Sequence, residues 1–204
     1  MGGGSALPYD AEVEYIRSNG TQIINLQYYP NPNTTFIMDV QFVDNGNTNK
    51  NGMNNTIYGT SDSGTGLFSA NFGGNANQGK YIYFWNDKKY GSGGQIRNII
   101  YHDSLTIKGK MTITRYNANF LNKDVSLTGK TTTNTTPLYV FGDATTSLNR
   151  YDMKVFSIKI QEENTVIRDI IPVRVGTIGY MYDKVSKQLF GNDGTGDFIL
   201  GPDV

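Results

Sequence analysis

"TFIMDVQFV", Thr35 to Val43, is the stretch that decides the fold. Phe36, Met38, Val40 and Phe42 point one way, and Ile37, Asp39, Gln41 and Val43 point the other. A helix would gather residues three and four apart. A period of two belongs to a strand with one face on a core.

The composition carries the same message along the chain. Glycine numbers 24 and tyrosine 14, asparagine and threonine each make up about a tenth, and the helix formers Ala, Glu and Leu are scarce. Thr, Tyr, Ile, Val and Phe suit a pleated surface, while Gly and Asn supply tight turns. Further β-type runs follow at short spacing, among them "NTIYGT", "GLFSANF", "KYIYFW", "QIRNIIY", "KMTITRYN", "PLYVFGD", "MKVFSIKIQ", "TVIRDIIPV", "IGYMYD" and "KQLF". Roughly a dozen short strands with little or no helix argue for an all-β sandwich or barrel. No fixed repeat suggests a propeller or solenoid. Upstream, "EVEYIRSNGTQIINLQY" places Asn19-Gly20 between β-formers, which predicts an opening hairpin. Residues 44–55, 73–79 and 87–94 read as long surface loops.

The 204 residues fit one domain, taken as residues 9–204 behind a flexible Gly-rich tether at 1–8. Eighteen basic and eighteen acidic side chains cancel, so no whole-molecule field draws the protein to a polyanion, and nucleic acid is not expected as a partner. Without cysteine there is no disulfide framework, thiolate nucleophile or Cys-based zinc site. "MGGGSALPYD" has neither the basic nor the apolar region of a secretory signal, and no run reaches the roughly 20 apolar residues of a spanning helix. Membrane insertion is therefore not expected.

Two stretches carry a resemblance. "EVEYIRSNGTQIINL" and the final segment from Met153 to Pro202 resemble concanavalin A-like (laminin-G-like) jelly-roll modules of gut-bacterial surface proteins and phage structural proteins. The markers are Glu14-Tyr15-Ile16 with Gly20-Thr21-Gln22, Arg168-Asp169 with Ile171-Pro172, Gly179 with Tyr182-Asp183, and Gly194-Thr195-Gly196 with Phe198 and Gly201-Pro202. The resemblance implies a two-sheet antiparallel jelly-roll sandwich, its curved sheets packed face to face and the chain ends paired close together. It implies a module that binds glycans or proteins, or builds assemblies; a minority of relatives are glycosidases.

The residues themselves supply little catalytic chemistry. Retaining glycosidases need two carboxylates about 5 Å apart. The only glutamates are Glu12, Glu14, Glu162 and Glu163, at the start and in a turn, and Asp39 is alone in its strand, so these read as solvated acids. The single histidine, His102, precedes Asp103 and Ser104, and three consecutive residues cannot converge as a triad. One His without Cys gives no transition-metal site. "FGNDGTGDF", Phe190 to Phe198, offers Asn192, Asp193 and Asp197 but lacks the oxygen ladder of a calcium loop and the Lys-Ser/Thr of a phosphate loop. It reads as the turn of a closing hairpin between "KQLF" and "DFIL". The acceptors at Asn19, Asn33, Asn54 and Asn134 are expected by chance in a chain this rich in Asn and Thr.

The most suggestive constellation is "KYIYFWND". As a strand it puts Tyr81, Tyr83 and Trp85 on one face, flanked by Asn86, Asp87 and Tyr90, with Ile82 and Phe84 toward the core. Rings that stack on sugar CH groups beside amides and carboxylates that take hydroxyls make a glycan site. The blander reading of the same rings, packing under a neighbouring loop or against another subunit, stands ahead of it. The expectation is a non-enzymatic virion- or cell-surface module, foremost a phage structural or decoration protein that binds host or mucosal glycans, with no cofactor. Its expected partners are glycans, other virion or surface proteins and further copies of itself. A bacterial carbohydrate-binding module and a glycoside hydrolase are the alternatives.

Overall fold

The computed structural model describes residues 7–43, 55–60, 68–75, 79–86, 98–101, 106–143 and 152–204. Numbered along the chain, its strands form two antiparallel sheets packed as a jelly-roll-like β-sandwich, with no helix among the described residues. The eleven-stranded sheet contains β1 (Ala11–Glu12), β2 (Ile16–Ser18), β4 (Thr34–Phe42), β9 (Gly109–Ile113), β10 (Asn117–Phe120) and β11 (Lys123–Ser126). It continues through β13 (Met153–Glu162), β14 (Thr165–Val175), β15 (Ile178–Asp183), β16 (Leu189–Phe190) and β17 (Ile199–Leu200). The six-stranded sheet runs in the order β3 (Ile24–Asn25), β12 (Tyr139–Val140), β5 (Asn55–Gly59), β6 (Phe68–Asn75), β7 (Gly79–Asn86) and β8 (Asn98–Tyr101).

The alternation read in Thr35–Val43 is realised along β4, where Phe36, Met38, Val40 and Phe42 are buried while the residues between them are partly exposed. These side chains bridge the sheets. Phe36 meets Tyr58 at 4.8 Å and Phe68 at 6.3 Å, and Phe42 meets Phe72 at 5.5 Å. Tilted and edge-on pairs at such spacings add about 0.5–1.5 kcal/mol each beyond the area they bury. The hydrophobic interior is thus one continuous layer shared by both sheets.

The sequence predicts hairpins at both chain ends, and the structure has neither. β2 pairs with β13 and β17 in the larger sheet, whereas β3 pairs with β12 in the smaller one. The Asn19-Gly20 turn is therefore a corner between sheets. Gly20 takes φ 102°, where a side chain would be strained, and the buried Ser18 and Gln22 satisfy the corner from within. Asn19 N–H donates to Gln22 Oε1 at 3.0 Å, and Gly20 N–H donates to Ser18 Oγ at 3.1 Å. β16 pairs with β15 and β17 with β2, so "FGNDGTGDF" does not close a hairpin either.

That loop clasps the corner instead. Thr195 N–H donates to Thr21 O at 3.1 Å, and Thr21 Oγ1 donates back to Thr195 O at 2.9 Å. Asn192 Oδ1 accepts from Ile23 N–H at 3.0 Å, and Gln22 Nε2 donates to Asp197 O at 2.9 Å. The chain ends lie side by side, with Val13 bridged to Asp203 and Ile16 opposite Leu200. Gly179 permits this, because a Cβ there would stand 2.6 Å from Leu200 Cδ2 and 3.2 Å from Ile16 Cγ2.

Other expectations shift by a few residues. The loop read at 73–79 is shorter, since β6 runs to Asn75 and β7 begins at Gly79. Glu162 is not a solvated acid: it ends β13 and accepts from Tyr28 Oη at 3.0 Å and Asn31 Nδ2 at 2.7 Å. Asp39 accepts from Ser157 Oγ at 2.9 Å. Asn134 is buried and donates to Thr60 Oγ1 at 3.0 Å, so it cannot serve as a modification site in the folded chain. His102, Asp103 and Ser104 lie outside the described residues.

Asp183, one of the markers that carry the resemblance, is fully buried at the end of β15. Its oxygens accept from the backbone N–H groups of Asp169, Val185 and Ser186 and from Ser186 Oγ at 2.6 Å, with the Arg168 guanidinium 3.5 Å away. Burial alone would raise its pKa. The donors outweigh that and hold it below the ordinary carboxylate value. Because the folded pKa is depressed, this stability is present above the unfolded carboxyl's pKa of about 3.9 and is lost as pH falls through the folded value. Urea titrations should show Asp183→Asn destabilised by about 2–4 kcal/mol at neutral pH, because an amide turns an acceptor into an unmatched donor. The variant should also lose part of the wild type's decline in stability below about pH 4. Asn192→Ala should lower the urea midpoint by an amount equivalent to about 1–2 kcal/mol, by freeing the clasp loop from the corner.

Candidate functional site

The core uses the inner face of each sheet, and the outer face of the smaller sheet carries the chemistry. Register places Asn25, Tyr139, Gly59, Ser69 and Trp85 in one row across β3, β12, β5, β6 and β7. A second row holds Thr56, Asn71 and Tyr83. Inner-face neighbours such as Ile24, Val140, Phe68, Ala70 and Ile82 belong to the core, which leaves Asn25, Tyr139, Ser69, Thr56, Asn71 and Tyr83 facing outward.

At the β3 and β12 edge the face presents aromatic surface. Gln27 adopts φ 50° and turns the chain so that Tyr28 points inward, while Tyr29 is 49% exposed. Asn25 Nδ2 donates to Tyr139 Oη at 3.2 Å. The phenol of Tyr139 titrates above its ordinary value, first because of partial burial and then because the Asp193 carboxylate and Tyr29 lie near it. Gln188 Nε2 donates to Gln27 Oε1 at 3.1 Å. Two tyrosines, three amide side chains and a carboxylate thus converge at one edge.

Toward the middle of the sheet the groups are polar and buried. Thr56 Oγ1 donates to Asp143 Oδ2 at 3.5 Å, Asn71 Nδ2 donates to Thr56 Oγ1 at 3.0 Å, and Ser69 Oγ donates to Asn71 Oδ1 at 3.4 Å. Gly59 floors this cluster, since a Cβ there would meet Ser69 Cβ at 3.0 Å and Asp143 Cβ at 3.4 Å. The turn that returns Asp143 to the cluster contains Phe141 at φ 69°, a left-handed conformation uncommon for a bulky residue. Packing of the Phe141 ring against Phe198 at 5.2 Å stabilises it.

Of the residues singled out from sequence, Tyr81 and Tyr83 lie on the outer side of β7 with ring centroids 6.2 Å apart. Each is only 4% exposed, so neither is an open stacking platform in this arrangement. Trp85 and Asn86 lie in β7, in register with Ser69 and Phe68. Asp87 and Tyr90 fall outside the described residues. Among the described residues of this face the accessible rings are Tyr29 and Tyr139, whose runs, "LQYYP" and "PLYVFGD", look like ordinary strand fragments in the sequence. Asp193 joins them only because the clasp loop folds back on the corner.

Replacing Thr56 by Val keeps shape but removes the hydroxyl that accepts from the buried Asn71. The expected cost is about 1–3 kcal/mol in chemical denaturation. Compared with protein-family models, with curated proteins and with solved structures, the chain matches none.

Proposed function

We propose that this chain is a non-enzymatic recognition module on a virion or cell surface, foremost a phage structural or decoration protein, that binds a glycan along the outer face of its smaller sheet. The observation that carries the reading is the juxtaposition of exposed Tyr29 and half-buried Tyr139 with Asn25 and Asp193. Aromatic faces take the CH side of a pyranose, while amides and carboxylates take its hydroxyls. The carboxylates Asp193 and Asp143 favour an uncharged, hydroxyl-rich ligand over an anionic one. A flat sheet face flanked by loops fits a length of oligosaccharide better than a small metabolite buried in a cavity. The virion or surface setting rests on the resemblance carried by Glu14-Tyr15-Ile16 and the closing Gly194-Thr195-Gly196 segment.

A glycan array followed by calorimetric titration tests the proposal. Tyr29→Ala and Tyr139→Ala should each weaken the bound glycan about tenfold, equivalent to about 1.4 kcal/mol. Trp85→Ala should weaken it as well if the ligand extends along the row to β7. An array with no bound neutral glycan, or affinity unchanged by both tyrosine substitutions, would sink the idea.

A further inference from the structure

On the larger sheet the outer face carries a different pattern. The register of β13 against β4 shifts between Val155 and Ser157, and both Phe156 and Ser157 fall between the inward-facing Val155 and Ile158. Such bulges re-aim side chains and recur beside functional surfaces. Phe156 meets Tyr15 edge-on at 5.5 Å, and each ring lies beneath an ammonium group: Lys108 Nζ is 3.7 Å from the Phe156 centroid, and Lys154 Nζ is 4.3 Å from that of Tyr15. Lys154 stands directly opposite Arg17 across two strands, an arrangement of like charges that is destabilising in itself. Arg17 is held by Asp152 through two bonds of 2.8 Å. Lys108, Lys110, Lys154 and Lys159 make no ion pair among the described residues.

Charge of the opposite sign lies on the other side of Tyr15. Asp10, Glu12 and Glu14 are all exposed; Asp10 lies near the Arg174 guanidinium, which is bonded to Asp203, and Glu12 and Glu14 form no ion pair among the described residues. Asp10 accepts from the Gly176 N–H, and Glu12 accepts from Tyr9 Oη. Glu12 pairs in register with Val173, and Tyr9 packs on Tyr182 at 5.0 Å, which puts this acidic run on the same outer face. The surface therefore carries a net excess of acid on one side, where Arg174 is held by Asp203, rings in the middle, and a net excess of base on the other, where Asp39 stands opposite Lys110 and Asp152 holds Arg17, in a chain of zero net charge.

We infer that this face is the interface of a two-fold homodimer, with a second copy of the chain as its occupant. A two-fold interface applies the same patch twice, so residue i of one copy meets j of the other while j meets i. An axis near the Tyr15–Phe156 pair sets the acids of each copy on the lysines of its partner and places the rings at the centre, where interface energy concentrates. The zero net charge means that two copies do not repel as wholes, while the local pattern fixes their orientation.

Sedimentation velocity tests this, with circular dichroism confirming that each variant is folded. The wild type should dimerise at low ionic strength and dissociate as salt is added. The double variants Lys108→Glu with Lys154→Glu, and Glu12→Lys with Glu14→Lys, should each be monomeric alone and should recover the dimer on equimolar mixing. A wild type that is monomeric at every concentration in low salt overturns the proposal. So does a dimer that neither double variant disturbs, or monomeric variants that fail to recombine. Heparin retention that is lost in the lysine variant, with the wild type remaining monomeric, would reassign the face to an anionic polymer. Neutral glycan binding at Tyr29 and Tyr139 should persist in both double variants, so failure of the dimer and failure of the glycan reading are separable.

Discussion

Between Ser18 and Ile24 the chain leaves one sheet and enters the other, and the rest of the architecture depends on that corner. A strand leaving a sheet strands its polar groups, and in a buried corner each such group must find a partner. Ser18 and Gln22 provide partners from within, and the clasp loop from Asn192 to Asp197 provides the remainder from the far end of the chain. First and last elements thus stabilise each other. The pairing of β2 with β17 and the fit of Leu200 over Gly179 extend this coupling into the larger sheet.

With the corner fixed, the sandwich divides its labour between faces. Inner faces hold the aromatic layer centred on Phe36, Phe42, Tyr58, Phe68 and Phe72, which excludes water and registers the sheets against each other. The outer faces are freed from the core and differ in character. The smaller sheet offers tyrosines, amides and carboxylates, the chemistry of hydroxyl recognition. Lysines over rings, beside a run of acids, give the larger sheet the chemistry of charge matching. The proposed glycan binding and the proposed self-association thus fall on separate faces.

The residues that carry the resemblance turn out to be fold-making. Gly20 accommodates a positive φ at the corner, Gln22 ties the corner to the clasp, Gly179 admits Leu200, and Asp183 satisfies backbone donors from both β14 and the turn after β15. Each answers a local demand of the backbone, so none specifies a ligand. The proposed binding chemistry falls instead on positions such as Tyr29 and Tyr139, which lie off the core face.

The all-β class, the burial of alternate residues in β4 and the inward orientation of Ile82 and Phe84 were legible in the order of residues alone, because strand periodicity is a local property of the backbone. The sequence also marked Asn19-Gly20 and Gly194-Thr195-Gly196 as turns, since those residues tolerate turn dihedrals. Which strands each turn would join was decided only in the tertiary structure: Asn-Gly reads identically in a hairpin and in a corner, and the choice follows from where the partner strands β12, β13 and β17 lie. The same limit applied to the candidate site. Tyr81 and Tyr83 were legible as one face, but the choice between an open stripe and a buried one was not, because exposure depends on everything packed around a strand. Tyr29, Tyr139 and Asp193 are far apart in sequence, and only the folded clasp and the β3–β12 pairing bring them together.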